Sequence, residues 1–449
     1  MAVSIVHLPI NPSRLKTLLQ NPDSLKLLTR IAIVAIAGMC IWFAFSTWGD
    51  INKGKTRDFH EFFSAAEAMV KGEDIYKAGS LGYIYPPLLA FLLTPLVALG
   101  EIGAAKVWLG LNLILLLVTL YIAARDTKSR LGSQSHAYIW IGAAIGLGLI
   151  ADKVRAELAM GQSNIFIVCC WTIALATLQR KPTIAGTVLG LAANIKYVTL
   201  IAVPYLLIRR RYKAAILTCI MSVAWAIVPA ISLGFAKNFD YLENAVGGLT
   251  RMSSHEGEVP ESKAGAGQTS DGRARIAGLS DDRSISIPSF AARVTNGTIR
   301  TPSTLALTLA VLGTFCGTAW WMYRRKNVGL LLQNESDSSP LLLATEWSGL
   351  LVIVLAFGPQ TNPRHLVMLL PMFILIGGIL TLKAAKGEKL LPLALGTGLL
   401  FAALILPPGG QTFKDAVNGW RYVSGISGCL LVCYLVFLYS VLFQRRVPT

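Results

Sequence analysis

The chain has 449 residues, 54% of them hydrophobic and only 14% charged, against roughly 25% charged in soluble domains, which excludes an ordinary soluble enzyme. Its formal net charge of +17 does not mark a nucleic-acid binder. The Lys and Arg residues stand in short clusters between apolar runs, as at Arg125/Lys128/Arg130, Arg180/Lys181, Arg209 to Lys213, Arg324 to Lys326, Lys383 to Lys389 and Arg445/Arg446, the pattern of a polytopic membrane protein with its basic loops in the cytosol.

In chain order, residues 1–30 are polar and basic and do not read as a cleaved signal peptide; they are expected to stay cytosolic. Apolar runs that approach the ~20 residues needed to cross hydrocarbon follow at 31–48, 103–124, 137–151, 164–179, 214–235, 303–323, 340–357, 365–382, 389–407 and 424–443. With the basic clusters inside, residues 49–102, 152–163, 236–302, 358–364 and 408–423 fall outside.

Two stretches need separate treatment. "YIYPPLLAFLLTPLVALG" from Tyr83 contains three prolines, and a crossing there would reverse the charge rule, so it is expected to dip into the outer leaflet and return. Thr183 to Ile208 is flanked by basic clusters at both ends and carries Asn194 and Lys196 at its middle, which predicts two short helices meeting at a buried or outward tip. The fold class expected is all-α, with about twelve membrane helices and both termini cytosolic. Four parts follow: a cytosolic segment 1–30, a membrane module 31–235 that includes the outer loop 49–102, a long outer loop 236–302, and C-terminal helices 303–449.

The first outer loop holds "GKTRDFHEFFSAAEAMVKGEDIYKAG". Phe59, Phe62, Phe63, Ala66, Met69 and Val70 make a helical apolar stripe suited to the bilayer surface, closed by Gly72. Asp58 and Glu61 have capping-box spacing, so Asp58 caps the helix, or stands as a general base for an incoming hydroxyl at the mouth of a membrane cavity, or does both with one oxygen each. In the long outer loop, "SSHEGEVPESKAGAGQTSDGRARIAGLSDDRS" is expected to be a mobile lid or a disordered insert; Arg251 and His255 beside it are weak site candidates. All seven cysteines fall in apolar runs and behave there as small apolar residues. The acidic residues are scattered, so neither an obligatory metal nor a cofactor is expected.

The succession of Asp58, "AAEAMVKGEDIY", "YIYPPLLAFLLTPL", "GQSN" from Gly161, and "GTVLGLAANIKYVTLIAVPYLLIRRRYKA" resembles glycosyltransferase family 87. That family lies within the multi-span GT-C class, which uses lipid-phosphate sugars, and the likeness runs over residues 30–215 with an echo at "NPRHLVMLLPMF". The resemblance implies a GT-C-like fold, a polyprenyl-phosphate sugar donor with mannose as the default sugar, and an Asp in the first outer loop as catalytic base, the position that Asp58 occupies. It implies a lipid or glycan acceptor and an active site on the extracytosolic face of the plasma membrane. Where relatives often carry Asn-Gln-Ser in the long outer loop, this chain has Ile287-Pro288-Ser289, so an acceptor role attached to that motif does not carry over.

A departing lipid phosphate gains negative charge, and cations aimed at it favour the transition state. Lys196, Arg364, His365 and Arg155 are the candidates, although Lys196 could instead snorkel to the interface and the Arg364-His365 pair could serve as an interfacial anchor. Glu61, Tyr76, Tyr85, Gln162, Asn164 and Asp152 are candidates for sugar or acceptor hydroxyls. The bland alternatives are an aromatic belt for the tyrosines, Tyr83 included, and a solvated loop for Asp152, Lys153, Arg155 and Glu157. The expected reaction is a single, inverting displacement. A lipid or solute transporter, or a ligase of the same membrane class that moves a whole glycan, are the competing readings.

Overall fold

The computed structural model describes residues 12–80, 82–132, 136–253, 279–281, 283–329, 339–405, 419–420 and 422–443. His255, Arg445 and Arg446, and most of the Ser- and Gly-rich stretch, lie outside these residues, as does the Arg251 side chain. All regular structure among the described residues is helical, as the apolar runs predict.

The elements are α1 (Pro12–Gln20), α2 (Pro22–Asn52), α3 (Asp58–Lys71), α4 (Pro87–Leu93), α5 (Gly100–Leu131), α6 (His136–Leu149), α7 (Ala151–Met160), α8 (Asn164–Thr177), α9 (Pro182–Ala193), α10 (Ala202–Ile208) and α11 (Tyr212–Ile227). They continue with α12 (Ala230–Leu233), α13 (Phe235–Ser253), α14 (Ile287–Thr295), α15 (Pro302–Arg325), α16 (Pro340–Phe357), α17 (Leu370–Lys386), α18 (Leu391–Ile405) and α19 (Gly425–Leu442). Short 3-10 turns at Ile75–Lys77, Thr94–Leu99, Tyr197–Ile201 and Pro363–Leu369 link several of them.

Seven helical stretches among the described residues are long and apolar enough to cross a bilayer, and an eighth forms if α6 and α7, bent by 61° at Ile150, count as one broken span. The twelve expected spans are reached only by adding four apolar helices of 10 to 17 residues, at 164–177, 182–193, 197–208 and 391–404, each short of the ~20 residues that a perpendicular crossing needs. The first span also starts nine residues before the apolar run, because Asn21 caps α2 through the amides of Asp23 and Ser24 and Pro22 stands at its first position. From Pro87 the chain runs helically through a 3-10 segment into α5, giving one stretch of 45 residues, Pro87–Leu131. The predicted break at Asn194 to Lys196 is present between α9 and the 3-10 turn at Tyr197.

Small residues set the closest helix approaches, as membrane interiors favour. A Cβ at Gly142 would stand 2.4 Å from the Gly378 amide, and one at Gly146 would stand 2.6 Å from the Ile374 amide, so α6 and α17 pack backbone to backbone. One contiguous apolar core joins helices from both sides of the long loop. Its buried Glu346 is not left unpaired: Arg209 and the hydroxyls of Tyr205 and Tyr323 all bond to it, which satisfies a charge that would otherwise be costly.

Two features of the outer segments depart from expectation. The apolar stripe of α3 does not face outward: Phe59, Phe62, Phe63, Ala66 and Met69 are buried against α4, the 94–99 turn and α5, and only Val70 stays exposed, at 58%. Residues 236–302, expected as a loop, contain α13 and α14.

Candidate active site

Asp58 is not the helix cap that its spacing with Glu61 suggests. Arg57 takes the N-cap position with φ of 52° and no side-chain cap bond forms. Asp58 is the first helical residue, and its carboxylate turns to other elements. Gln162 Nε2 donates to its Oδ2 at 2.6 Å and Arg364 Nη2 donates to the same oxygen at 2.9 Å. Oδ1 accepts no bond from the described residues, and the side chain keeps 21% of its surface exposed.

Gln162 connects this carboxylate to the rest of the group. Its Oε1 accepts from the Tyr85 hydroxyl at 3.2 Å and from Lys196 Nζ at 3.4 Å. Lys196 Nζ also donates to Asn164 Oδ1 at 2.7 Å and lies 5.3 Å from the centroid of the Tyr85 ring. The backbone amide of Asn164 donates to Glu157 Oε1 at 3.0 Å. Residues that are far apart in sequence therefore meet within one set of hydrogen bonds.

Local backbone explains the convergence. Gly161 ends α7 in the left-handed region with φ of 67°, a conformation that costs glycine nothing. A Cβ there would stand 2.6 Å from the Phe59 Cβ, so the 161–164 turn can press against α3 only with glycine at that point. Trp108 Nε1 holds the Gly161 carbonyl at 2.8 Å. The 358–364 segment that carries Arg364 is fixed in turn from α14's leading residues: Ile285 N donates to Thr361 O, Thr361 N to Ser284 Oγ, and Ser289 Oγ to Pro359 O. Ser289, in the segment that departs from the family's Asn-Gln-Ser, thus serves this scaffold.

Burial lowers the Lys196 ammonium from its usual value to about 8; Glu157 and Asp58 pull it upward and Arg364 pushes it down. Burial, with the Asp58 charge next, raises the Tyr85 phenol, so it stays a neutral donor to Gln162. Glu157 Oε2, Asn164 Nδ2 and Arg364 Nε are buried and have no hydrogen-bond partner among the described residues. Buried polar atoms are normally paired, so three unpaired ones around the same group are open to a polar ligand or water. Glu157 was grouped with its neighbours in the 152–157 stretch in the sequence; its distinguishing signal is a carboxylate on the same face of α7 as the buried Val154 and Leu158.

Other candidates are committed elsewhere. Glu61 is buried and accepts from Ser80 Oγ and the Gly82 amide, pinning the 79–82 turn. The Tyr76 hydroxyl lies 2.9 Å from Tyr85 O and 2.8 Å from Tyr241 O, a structural bridge between backbone segments. Tyr83 bonds to Pro86 O and the Ala90 amide. Asp152 pairs with Lys153 and Arg155 on the exposed face of α7, and Arg155 stacks on Trp42 of α2. His365 sits beside Arg364 but closes a capping box, with its Nδ1 accepting from the Asn362 amide at 3.4 Å. Among the described residues no group of three or more His, Cys, Asp or Glu side chains is arranged to hold a metal ion.

The sequence profile of glycosyltransferase family 87 matches residues 83–357, a stretch that includes Tyr85, Gln162, Asn164 and Lys196 and leaves Asp58 and Arg364 outside. A polyprenol-phosphate-mannose-dependent alpha-(1-2)-phosphatidylinositol pentamannoside mannosyltransferase of Mycolicibacterium smegmatis is 25% identical over 259 residues, 51% of this chain and 60% of that protein. GPI mannosyltransferase 1 of Aspergillus oryzae is 28% identical over 172 residues, 36% of this chain and 38% of that protein. A polyprenol-phosphate-mannose-dependent alpha-(1-2)-phosphatidylinositol mannoside mannosyltransferase of Mycobacterium tuberculosis is 24% identical over 226 residues, 46% and 52% of the two chains. The matches thus span 38% to 60% of these relatives' lengths. Among solved structures, ArnT from Cupriavidus metallidurans bound to undecaprenyl phosphate aligns with a TM-score of 0.43 at 13% identity, covering 92% of this chain and 77% of that one.

Proposed function

The chain belongs to glycosyltransferase family 87, and from that premise we propose that it transfers a single sugar from a polyprenyl-phosphate donor to a hydroxyl of a lipid or glycan acceptor, with Asp58 as general base. The observation that carries this reading is the Asp58 carboxylate: one oxygen is fixed by Gln162 and Arg364 while the other accepts no bond from the described residues. Fixing one oxygen orients the second, and a base must be held within hydrogen-bond reach of the proton it removes.

The acceptor oxygen loses its proton to Asp58 Oδ1 and bonds to the anomeric carbon as the bond from that carbon to the phosphate oxygen breaks. The electron pair leaves with the lipid phosphate, so the configuration at the anomeric carbon inverts. Phosphate departs without needing a proton, and one carboxylate suffices where glycoside hydrolysis uses two. Arg364 and Lys196 receive the charge that grows on the phosphate; their value lies in binding that charge more tightly in the transition state than in the ground state. Gln162, Asn164 and Tyr85 place sugar and acceptor hydroxyls. Mannose is the proposed sugar because the relatives' names specify it. The reaction is proposed to take place on the extracytosolic side of the plasma membrane, with both termini in the cytosol. The catalytic group draws on the 31–235 module and, through Arg364, on the C-terminal helices.

The test is sugar transfer by the purified protein in lipid nanodiscs, with radiolabelled polyprenyl-phosphate sugars and a membrane lipid extract. Asp58→Asn should lower transfer by about 10²- to 10⁴-fold, the range of a general base, with an unchanged melting profile. Full activity in Asp58→Asn would remove the base assignment, and wild-type protein that transfers no sugar from any donor would remove the transferase reading.

A further inference from the structure

Helix α13 has three different sides. Asn238, Tyr241 and Ala245 are buried against the protein. Phe235, Phe239 and Leu242 lie next to them on a second stripe at spacings of four and three, the spacing of one helix face. Phe235 and Phe239 are 75% and 69% exposed among the described residues. Asp240 and Glu243 make a third, exposed and charged stripe on the far side. Protein, apolar surface and charge thus follow one another around a single helix.

The apolar side is not an isolated patch. Ile216, Ile220, Val223 and Ile227 are exposed apolar residues of α11, which together with α12 forms the stretch Tyr212–Leu233, long and apolar enough to cross the membrane. Ile231 of α12 is also exposed, and the exposed Phe235 and Phe239 follow it in the chain. Gly234, with φ of 77°, turns the chain between them. A membrane span with exposed apolar residues is thus followed directly by a helix that has one apolar and one charged exposed side, the arrangement of an interfacial helix.

The buried side holds the turn after α3. Lys237 Nζ donates to Gly72 O at 2.9 Å and stands 3.4 Å from Glu73 O. The Tyr241 hydroxyl donates to Glu73 O at 3.2 Å and accepts from the Ile75 amide at 3.4 Å, and the Tyr76 hydroxyl reaches both Tyr241 O and Tyr85 O. Tyr85 is the residue that bonds Gln162 beside Asp58.

We infer that α13 is a membrane-surface helix whose Phe235, Phe239 and Leu242 sit among the lipid chains of the leaflet on the active-site side, with Asp240 and Glu243 in the aqueous headgroup region. Its contacts with residues 72–76 then tie the Tyr76–Tyr85 segment to the bilayer. This assignment is independent of which reaction the site performs.

Nitroxide labelling in nanodiscs tests it, in a background where the exposed thiols Cys219 and Cys316 are replaced by serine. Single Phe239→Cys and Glu243→Cys variants are labelled, and Phe45→Cys on the lipid-exposed face of α2 serves as reference. Oxygen should broaden the signal at 239 as it does at 45 while a water-soluble nickel chelate leaves it unchanged; the chelate should broaden the signal at 243. Equal broadening by the chelate at 239 and 243 would place α13 in water and overturn the inference. Protection of 239 from both reagents would show another part of the chain covering the stripe, and would overturn it too. A variant that loses its fold is recognised by its circular dichroism and replaced by Phe235→Cys.

Discussion

Helices α3 and α13 are both amphipathic, both flank the same turn, and use their apolar faces in opposite ways. α3 inserts Phe59, Phe62 and Phe63 into the protein, where Phe59 stacks on Trp108 at 6.0 Å and Phe62 meets Tyr85 edge-on at 5.1 Å. α13 leaves Phe235 and Phe239 uncovered by the described residues. Periodicity reports that a helix has an apolar side and says nothing about whether protein or lipid covers it. The difference matters for function because the helix that carries Asp58 is anchored by packing, which holds a carboxylate more firmly than a lipid surface can.

The contrast is broken most directly in the core. Phe62→Ala removes a side chain that is fully buried and should lower stability by about 3–5 kcal/mol, whereas Phe239→Ala should change it by about 0.5 kcal/mol or less; denaturant unfolding of both variants in the same bilayer mimic checks this. Similar losses at the two sites would mean that α13 is packed as α3 is.

A smaller effect separates the hydrogen-bonded group around Asp58 from α13. With the Lys196 ammonium lowered to about 8, the cation proposed to face the donor phosphate is present below that pH and lost as pH rises through it. The donor KM should therefore climb about tenfold per pH unit above 8. Lys196→Arg, whose guanidinium stays charged, should flatten that rise, and a Phe239→Ala protein should keep the wild-type profile. A steep rise that persists in Lys196→Arg would assign it to another group.

The smallest effect concerns the joint between the two helices. Tyr241→Phe removes the hydroxyl that meets Glu73 O and the Ile75 amide, worth about 1 kcal/mol. Hydrogen exchange at the Ile75 amide should accelerate about fivefold, the factor that 1 kcal/mol represents at 25 °C, while amides within α3 exchange as before. An unchanged Ile75 rate would show that Tyr241 does not hold this turn.

Some of the site was legible in the sequence and some was not. The Lys196 break was readable because a cation and an Asn in the middle of an apolar segment need partners, and Gln162 and Asn164 stood at the start of a helix beside it. Asp58 was visible as an acid at a helix start, but its spacing with Glu61 suggested a capping box, which the structure does not form. Capping is a local event, and here Gln162 and Arg364, 104 and 306 residues away, compete successfully for the carboxylate. Glu61 and Tyr76 looked equally able to bind a substrate and are held by nearby loops, a fate that depends on where Ser80, Gly82 and Tyr241 come to rest. Arg155 and Asp152 satisfy each other at one turn's spacing, as neighbouring charges on a helix commonly do.

The sequence by itself determined that this is a helical membrane protein, where most of its apolar helices lie, and that Lys196 and Asn194 interrupt one of them, because hydrocarbon leaves a backbone few options other than the helix and makes a charge in an apolar run conspicuous. Tertiary structure alone decided which apolar stripe meets protein and which is left open, that Gly161 lets α7 press on Phe59, and that Arg364 joins Asp58. Those outcomes depend on contacts between segments tens to hundreds of residues apart, and no periodicity within one segment encodes its partner.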